Sequence, residues 1–297
     1  MNVLRVGARG SDLSVAQTKW LIGRLLEANP GLKAELIIIE THGDRDQTSS
    51  LTSLGPPGGF VKDIEKALLA GDIDMAVHSL KDVPTDPVPG LQISAIPTRA
   101  PAQDVLLTRE PRTLESLPAG MVIGSSSPRR THQILNRCPH VRIEPIRGNV
   151  PTRLKKLTTG AYDGILLAAA GMQRLGLSHP HAIALDPVEF PPAPGQGALA
   201  AQTRDSGPAA AIVGKIDDAT TRAAVTAERA FLKACGGGCH AAAGAYARLE
   251  RGRLAVVGQL FHDSRALTEH VSGQLSEAET LGRTLADLLM KPPANRQ

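Results

Sequence analysis

The sequence predicts an α/β protein: two hinged α/β domains around a cleft, plus a smaller C-terminal α+β domain. Three observations predict it. Short β-branched or Leu-rich runs alternate with amphipathic segments between residues 3 and 78, the rhythm of a parallel βαβ sheet. That rhythm stops at the Pro-rich VPTDPVPG (83–90) and IPTRAPAQD (96–104) and restarts at 121. A second Pro cluster, PVEFPPAPGQG (187–197), precedes one more strand-like segment, ALAAQT (198–203). Two such connections flanking the second unit describe a chain that crosses out to an inserted domain and returns. The length of 297 residues suits two or three domains. The expected boundaries are 1–98 with 197–217 for the first domain, 99–196 for the second and 218–297 for the third.

The elements follow in order. VLRVGA (3–8) is the first strand, and a helix over 12–28 follows, with Leu13, Ala16, Trp20, Leu21 and Leu25 at helical spacing and Ser11 or Asp12 as its cap. Strand ELIIIE (35–40), a helix over 60–70 and strand IDMAVH (73–78) complete the first unit. MVIGS (121–125), a helix from about 128, VRIEPI (141–146), a helix over 150–158 and DGILLA (163–168) make the second. Beyond about 218 come the helix TTRAAVTAERAFLKA, then AGAYARLE, RLAVVGQLF and ALTEHV as an antiparallel sheet, and a closing helix near 276–291.

Charge is unevenly placed. The chain carries 33 Lys and Arg against 29 Asp and Glu, a net +4, yet residues 121–175 alone hold nine basic groups against Glu144 and Asp163. That window is +7 and the remainder −3, a localised cationic field of the kind that receives a polyanionic ligand. Trp20, Tyr162, Tyr246 and four Phe are the only aromatics, too few for a surface that stacks bases, so a nucleic-acid role is not expected. Three cysteines without disulfide-scaffold density point to a reducing compartment. MNVLRVGARG lacks the apolar core of a signal peptide, and the longest apolar run, 164–172, is far short of a membrane span. A cytoplasmic protein is expected, without membrane partners and, lacking any heptad pattern, monomeric.

Candidate functional residues gather at strand ends, where open parallel sheets bind ligands. HSLKDVP (78–84) places Lys81 and Asp82 after a strand, as cation-holding or proton-moving groups or as an ordinary charged turn before Pro84. GSSSPRR (124–130) brings Ser127, Arg129 and Arg130 to a helix N-terminus, where guanidinium forks match carboxylates, although a Ser-capped helix with solvated arginines has the same sequence. RGNVPTR (147–153) repeats the arrangement with Arg147 and Arg153, and AGMQRLG (170–176) adds Arg174. Three successive strand ends that each deliver arginine make coincidence a poor explanation. ARGSDL (8–13) supplies Arg9 and Ser11 from the first domain. In ACGGGCHAAAG (234–244), Cys235, Cys239 and His240 fit a metal site poorly for want of a nearby fourth ligand; a glycine loop presenting one nucleophilic Cys and a pair of buried thiols stay open. No metal is expected. The phosphate-binding, dinucleotide and serine-elbow motifs GxxxxGK[ST], GxGxxG and GxSxG are missing from the chain.

HSLKDVP, GSSSPRR, RGNVPTR, QRLGL (173–177), PGQGALA (194–200), TAERAFL (226–232) and the GGGC loop (236–239), taken in order over essentially the whole chain, resemble the porphobilinogen deaminase (hydroxymethylbilane synthase) family. The resemblance implies a transferase of tetrapyrrole and heme biosynthesis. It implies a dipyrromethane cofactor held by Cys239 through a thioether, with Lys81, Ser127, Arg129 and Arg130 around it. Asp82 is implied as the catalytic carboxylate, and Arg9, Ser11, Arg147, Arg153 and Arg174 as binders of substrate carboxylates. The implied reaction joins four porphobilinogen molecules head to tail, releases ammonia each time and gives the linear tetrapyrrole hydroxymethylbilane. The chain departs from the family in SLTSLGPPGG (50–59), which lacks the usual lysines of a possible lid over 43–59, and in His240 and Ala241, which replace a polar residue and a Pro. Pro128 stands where an aliphatic or polar residue is common, a tolerated choice in a first helical turn.

Two α/β domains with an arginine-lined cleft also describe a periplasmic-binding-protein-like architecture, so the alternative is a non-catalytic anion-binding paralogue of the same fold.

Overall fold

The computed structural model describes residues 3–40, 61–236, 242–262 and 265–291. The chain divides into two compact units, residues 1–100 with 198–222 and residues 101–197 with 223–297.

In chain order the elements are β1 (Leu4–Ala8), α1 (Asp12–Ala28), β2 (Ala34–Ile38), α2 (Lys62–Ala70), β3 (Met75–Ser79) and β4 (Leu91–Ala95). Next come β5 (Asp104–Thr108), β6 (Val122–Gly124), α3 (Pro128–Arg137), β7 (Arg142–Glu144), α4 (Val150–Thr158), β8 (Gly164–Ala168), α5 (Ala169–Arg174) and β9 (Ala182–Ala184). The chain continues through β10 (Leu199–Arg204), α6 (Ala209–Gly214), α7 (Ala219–Ala234), β11 (Ala243–Glu250), β12 (Arg253–His262), β13 (Arg265–Gly273) and α8 (Ala278–Met290).

The two five-stranded sheets share one plan. The first has the order β2-β1-β3-β10-β4 and the second β7-β6-β8-β5-β9. In each, three parallel strands are followed by one that runs antiparallel, β10 against β3 and β5 against β8. Because β1 and β3 are parallel neighbours, as are β6 with β7 and β8, their carboxyl ends lie along one edge of each sheet. A separate antiparallel sheet, β11-β12-β13, completes the chain, so the α/β class with a C-terminal α+β portion is the one the sequence predicts.

The first core joins Leu4, Val6, Leu21, Leu25, Met75, Val77 and Leu199. On α1 the buried side chains are Gln17, Thr18, Leu21 and Leu25, and Trp20 is 44% exposed. At about 100° per residue, Trp20 falls outside the stripe that Leu21 and Leu25 define, which corrects the expected apolar face. Ser11 caps α1 and accepts the Ser14 N–H at 3.4 Å. In the second unit one cluster joins Leu106, Ile123, Ile134 and Leu166 and another Val105, Leu107, Ile165 and Leu167, so β5 and β8 are apolar on both faces. Phe231, Leu254, Val256, Leu285 and Leu289 fill the space between the C-terminal sheet and helices α7 and α8.

Candidate active site

Every predicted site residue among the described ones follows the carboxyl end of a parallel strand. Arg9 and Ser11 follow β1, and Lys81 and Asp82 form a short 3-10 turn, Leu80–Asp82, directly after β3. That turn is anchored from below. Leu80 is fully buried and its N–H donates to Ala198 O at 3.0 Å, while Ser79 Oγ exchanges hydrogen bonds with the Gln17 amide of α1 at 3.0 and 3.2 Å. One residue earlier, the buried His78 donates from Nε2 to Gln202 Oε1 at 3.0 Å, and Gln202 Nε2 donates to Glu65 Oε1 of α2 at 3.0 Å. Asp82 itself is exposed, so a well-held turn presents its carboxylate to solvent.

In the second unit the loop after β6 is tied to the end of β7 by Ser126, whose Oγ donates to Ile146 O (2.8 Å) and accepts from Ile146 N (3.0 Å). Ser127 then caps α3, with Pro128 in its first turn. The cap directs Arg129 and Arg130 onto Asp104, the first residue of β5, which is wholly buried. Arg130 Nη2 donates to Asp104 Oδ1 at 2.6 Å, and Arg129 Nη1 lies 2.8 Å from Oδ2. Gln196 Nε2 donates to Oδ1 at 2.8 Å and to Ala102 O at 2.7 Å. Burial pushes the Asp104 carboxyl up, but Arg129 and Arg130 more than reverse this and hold it well below the usual carboxylate range.

After β7 come Arg147 and the turn at Gly148 (φ 109°), and Asn149 caps α4 by accepting the Thr152 N–H at 2.9 Å. Arg153 Nε donates to Gly148 O at 2.8 Å. Its guanidinium is destabilised first by burial and then by the positive charge of Arg130. After β8, Arg174 Nη2 donates to Gly197 O at 2.6 Å, and burial pulls its pKa down to about 10, still charged at neutral pH.

The structure thus brings together Arg129 and Arg130 in the second unit, with Ser127 at the cap, and places Arg147, Arg153 and Arg174 after neighbouring strand ends of the same sheet. Arg9, Ser11, Lys81 and Asp82 share the corresponding edge of the first sheet. Cys239, His240, Ala241 and the segment 43–59 lie outside the described residues. Cys235, at the end of α7, is half-buried, and burial raises its thiol to about 11, which leaves it protonated and unreactive. Among the described residues no group of His, Cys, Asp or Glu is placed to hold a metal. Asp104, Gln196 and the strand β5 were not anticipated from the sequence. The available signal was an aspartate opening the apolar run DVLLT, hidden behind the prolines at 97 and 101.

A family model described as "Porphobilinogen deaminase, dipyromethane cofactor binding domain" matches residues 4–211, and one described as "Porphobilinogen deaminase, C-terminal domain" matches residues 222–291. This chain belongs to the porphobilinogen deaminase family. Curated relatives named porphobilinogen deaminase include that of Acidothermus cellulolyticus, 42% identical over 100% of this chain and 91% of that protein. Those of Thermus thermophilus (43%, covering 96% of this chain and 95% of that one) and Thiobacillus denitrificans (40%, covering 98% and 96%) are similar over comparable spans. Among solved structures, the periplasmic VFT2 domain of Bordetella pertussis BvgS is similar at 15% identity, with a TM-score of 0.43 over 72% of this chain and 86% of that one. As a member of the porphobilinogen deaminase family, the chain carries its cofactor-binding domain across both five-stranded sheets.

Proposed function

We propose that this chain condenses four porphobilinogen molecules head to tail, with loss of one ammonia at each step and release by water, to give hydroxymethylbilane. The observation that carries this function is the pairing of two guanidiniums, Arg129 and Arg130, with one buried carboxylate, Asp104, behind the end of β6, while Arg147, Arg153 and Arg174 follow the ends of the neighbouring strands. An excess of partly desolvated guanidiniums favours the binding of further anions, and each pyrrole of substrate or cofactor brings two carboxylates.

The residues fit a dipyrromethane. Arg130 Nε is a buried cationic donor without a hydrogen-bond partner among the described residues, which an incoming carboxylate would satisfy. Cys239 would hold the group through its sulfur, and Lys81, Ser127, Arg129 and Arg130 would receive its acetate and propionate arms. When bound, it supplies a primer pyrrole whose free α-carbon accepts the first substrate unit.

Arg9, Ser11, Arg147, Arg153 and Arg174 bind and orient substrate carboxylates in the same reading. Asp82 faces the substrate nitrogen. Loss of ammonia from an aminomethylpyrrole leaves an azafulvenium cation, and the Asp82 carboxylate, held on its anchored turn, stabilises that charge and takes up the pyrrole proton released as the new carbon–carbon bond forms. The first domain (1–98 with 197–217) supplies Asp82 and its neighbours, the second (99–196) the arginines, and the third (218–297) the cysteine loop. Three cysteines without a disulfide pattern and a charge excess confined to one window support a cytoplasmic monomer acting on a small molecule rather than on nucleic acid or membrane. No helix among the described residues is long and apolar enough to cross a membrane.

The test is the intact mass of the purified protein beside Cys239→Ser. A native mass heavier by two linked porphobilinogen-derived pyrroles, missing from the variant, is expected. A native mass that stays unmodified after incubation with porphobilinogen would overturn the assignment in favour of a non-catalytic anion-binding protein.

A further inference from the structure

The arginine pair of α3 is not a simple ion pair, and its asymmetry carries an inference that rests on the ligand-binding role just proposed. Asp104 is 0% exposed and faces two guanidiniums at once. The Arg129 nitrogen that faces Asp104, Nη1, also donates to Gln133 Oε1 (2.8 Å) and to Pro191 O (3.2 Å). Arg130 donates from Nη1 to Leu166 O (3.2 Å) and from Nη2 to Asp104 Oδ1 (2.6 Å). Two buried atoms in this cluster have no hydrogen-bond partner among the described residues, and they are Arg130 Nε and Asp104 Oδ2. Oδ2 is compensated by its ion pair with Arg129, so the fully buried donor left without a partner among the described residues is Arg130 Nε.

We propose that Asp104, clamped by Gln196, is a positioning residue for the cofactor arginines: a built-in counter-anion that holds the two guanidiniums side by side, cancels one of their two charges and leaves Arg130 Nε to receive one ligand carboxylate. The physics follows from the charge count. Two adjacent cations out of water repel each other and drift apart without an anion between them. One permanent carboxylate fixes their geometry before any ligand arrives, which lowers the ordering cost of binding. It also leaves the Arg129–Arg130–Asp104 group at +1, so a single ligand carboxylate neutralises that group. A purely structural pair would be closed at one cation per anion with every donor satisfied; this one is two to one with a donor to spare. Asp104 is also unsuited to proton transfer, because the neighbouring arginines keep it ionised throughout the working range.

Asp104→Asn and Gln196→Met, beside the wild type, test this with two readouts. The first is intact mass, as purified and after incubation with porphobilinogen. The second is the melting midpoint in rising sodium succinate, a dicarboxylate without a pyrrole, against sodium chloride of matched ionic strength. Asp104→Asn leaves two uncompensated cations. Its midpoint should fall in chloride and recover in succinate with a larger rise than the wild type shows, while the fraction carrying the added pyrrole mass drops at least tenfold. A lowered midpoint with a wild-type succinate response, or wild-type loading per folded molecule, would overturn the proposal. If Asp104→Asn does not fold, Gln196→Met decides: the charge is kept but unclamped, so the succinate response should stay as in the wild type and loading should fall severalfold, and unchanged loading would refute it. A wild type that gains no pyrrole mass would remove the proposed function instead, and the succinate comparison would still decide the role of Asp104.

Discussion

His78 makes the turn that carries Asp82 sensitive to acid. It lies on β3 four residues before Asp82, is 6% exposed, and reaches only Gln202 and, through it, Glu65 among the hydrogen bonds described above. Burial pushes its imidazole down to about 4, against a smaller upward pull from the bond to Gln202. The unfolded chain takes up this proton near pH 6.5 and the folded chain resists it until about pH 4. Stability from His78 is therefore complete above about pH 6.5, is lost as the pH falls from there to about 4, and changes no further below. A depression of this size corresponds to a loss of about 2 kcal/mol by pH 5 and about 3 kcal/mol by pH 4, at 1.36 kcal/mol per unit. The single tryptophan, Trp20, lies on α1 in the same unit, so its fluorescence in urea titrations reports this unit. Measured at pH 7.5, 5 and 4, the wild type should lose about 2 kcal/mol more between pH 7.5 and 5 than His78→Gln, which keeps a donor for Gln202 and cannot titrate. Carboxylates titrate alike in both proteins and cancel in the comparison. Equal losses in the two proteins would refute the assignment of a neutral, buried His78.

Three further predictions are independent of that one. Asp82→Asn should reduce turnover by about 10²-fold or more, the usual share of a proton-transfer group, with little change in melting because the side chain is exposed; near-normal turnover would remove Asp82 from the chemistry. Gly282→Ala places a Cβ 2.2 Å from Ala227 O and 2.8 Å from Ala230 Cβ where α8 crosses α7, so denaturant titration should show a loss of about 1–3 kcal/mol, and wild-type stability would contradict the close approach. Glu228, fully buried on α7, accepts from Gly195 N (2.7 Å) and Ala247 N (2.8 Å); Glu228→Gln turns an amide NH₂ toward one of these donors and should cost about 1–3 kcal/mol, whereas an unchanged melting midpoint would show that the two bonds carry no stability.

Much of the site was legible because its signals are local. The alternation of apolar runs placed β1, β3, β6, β7 and β8, and the residues just past each run are the ones the folded sheets gather along their carboxyl edges. Ser11 and Ser127 sit as helix caps where their short polar side chains and the following helical pattern require, and the structure adds Asn149 as the cap of α4. Strands β4 and β5 were not legible, since prolines and glycine surround them and five apolar-rich residues without a partner strand have no period of their own.

Sequence alone determined the α/β class, the three groups of elements, the concentration of arginine in residues 121–175 and the strand ends that deliver it, because each depends on neighbours a few residues away. Only the tertiary structure decided which charges are already engaged. Asp104 meets Arg130 across 26 positions and Gln196 across 92, and His78 meets Gln202 across 124. Pairings of that range depend on how β5 and β10 cross into their sheets, and burial then sets their strength by removing water. The same step separates Arg129, whose Nη1 is shared by Asp104, Gln133 and the Pro191 carbonyl, from Arg130, whose buried Nε keeps no partner among the described residues, although the two are adjacent in the chain.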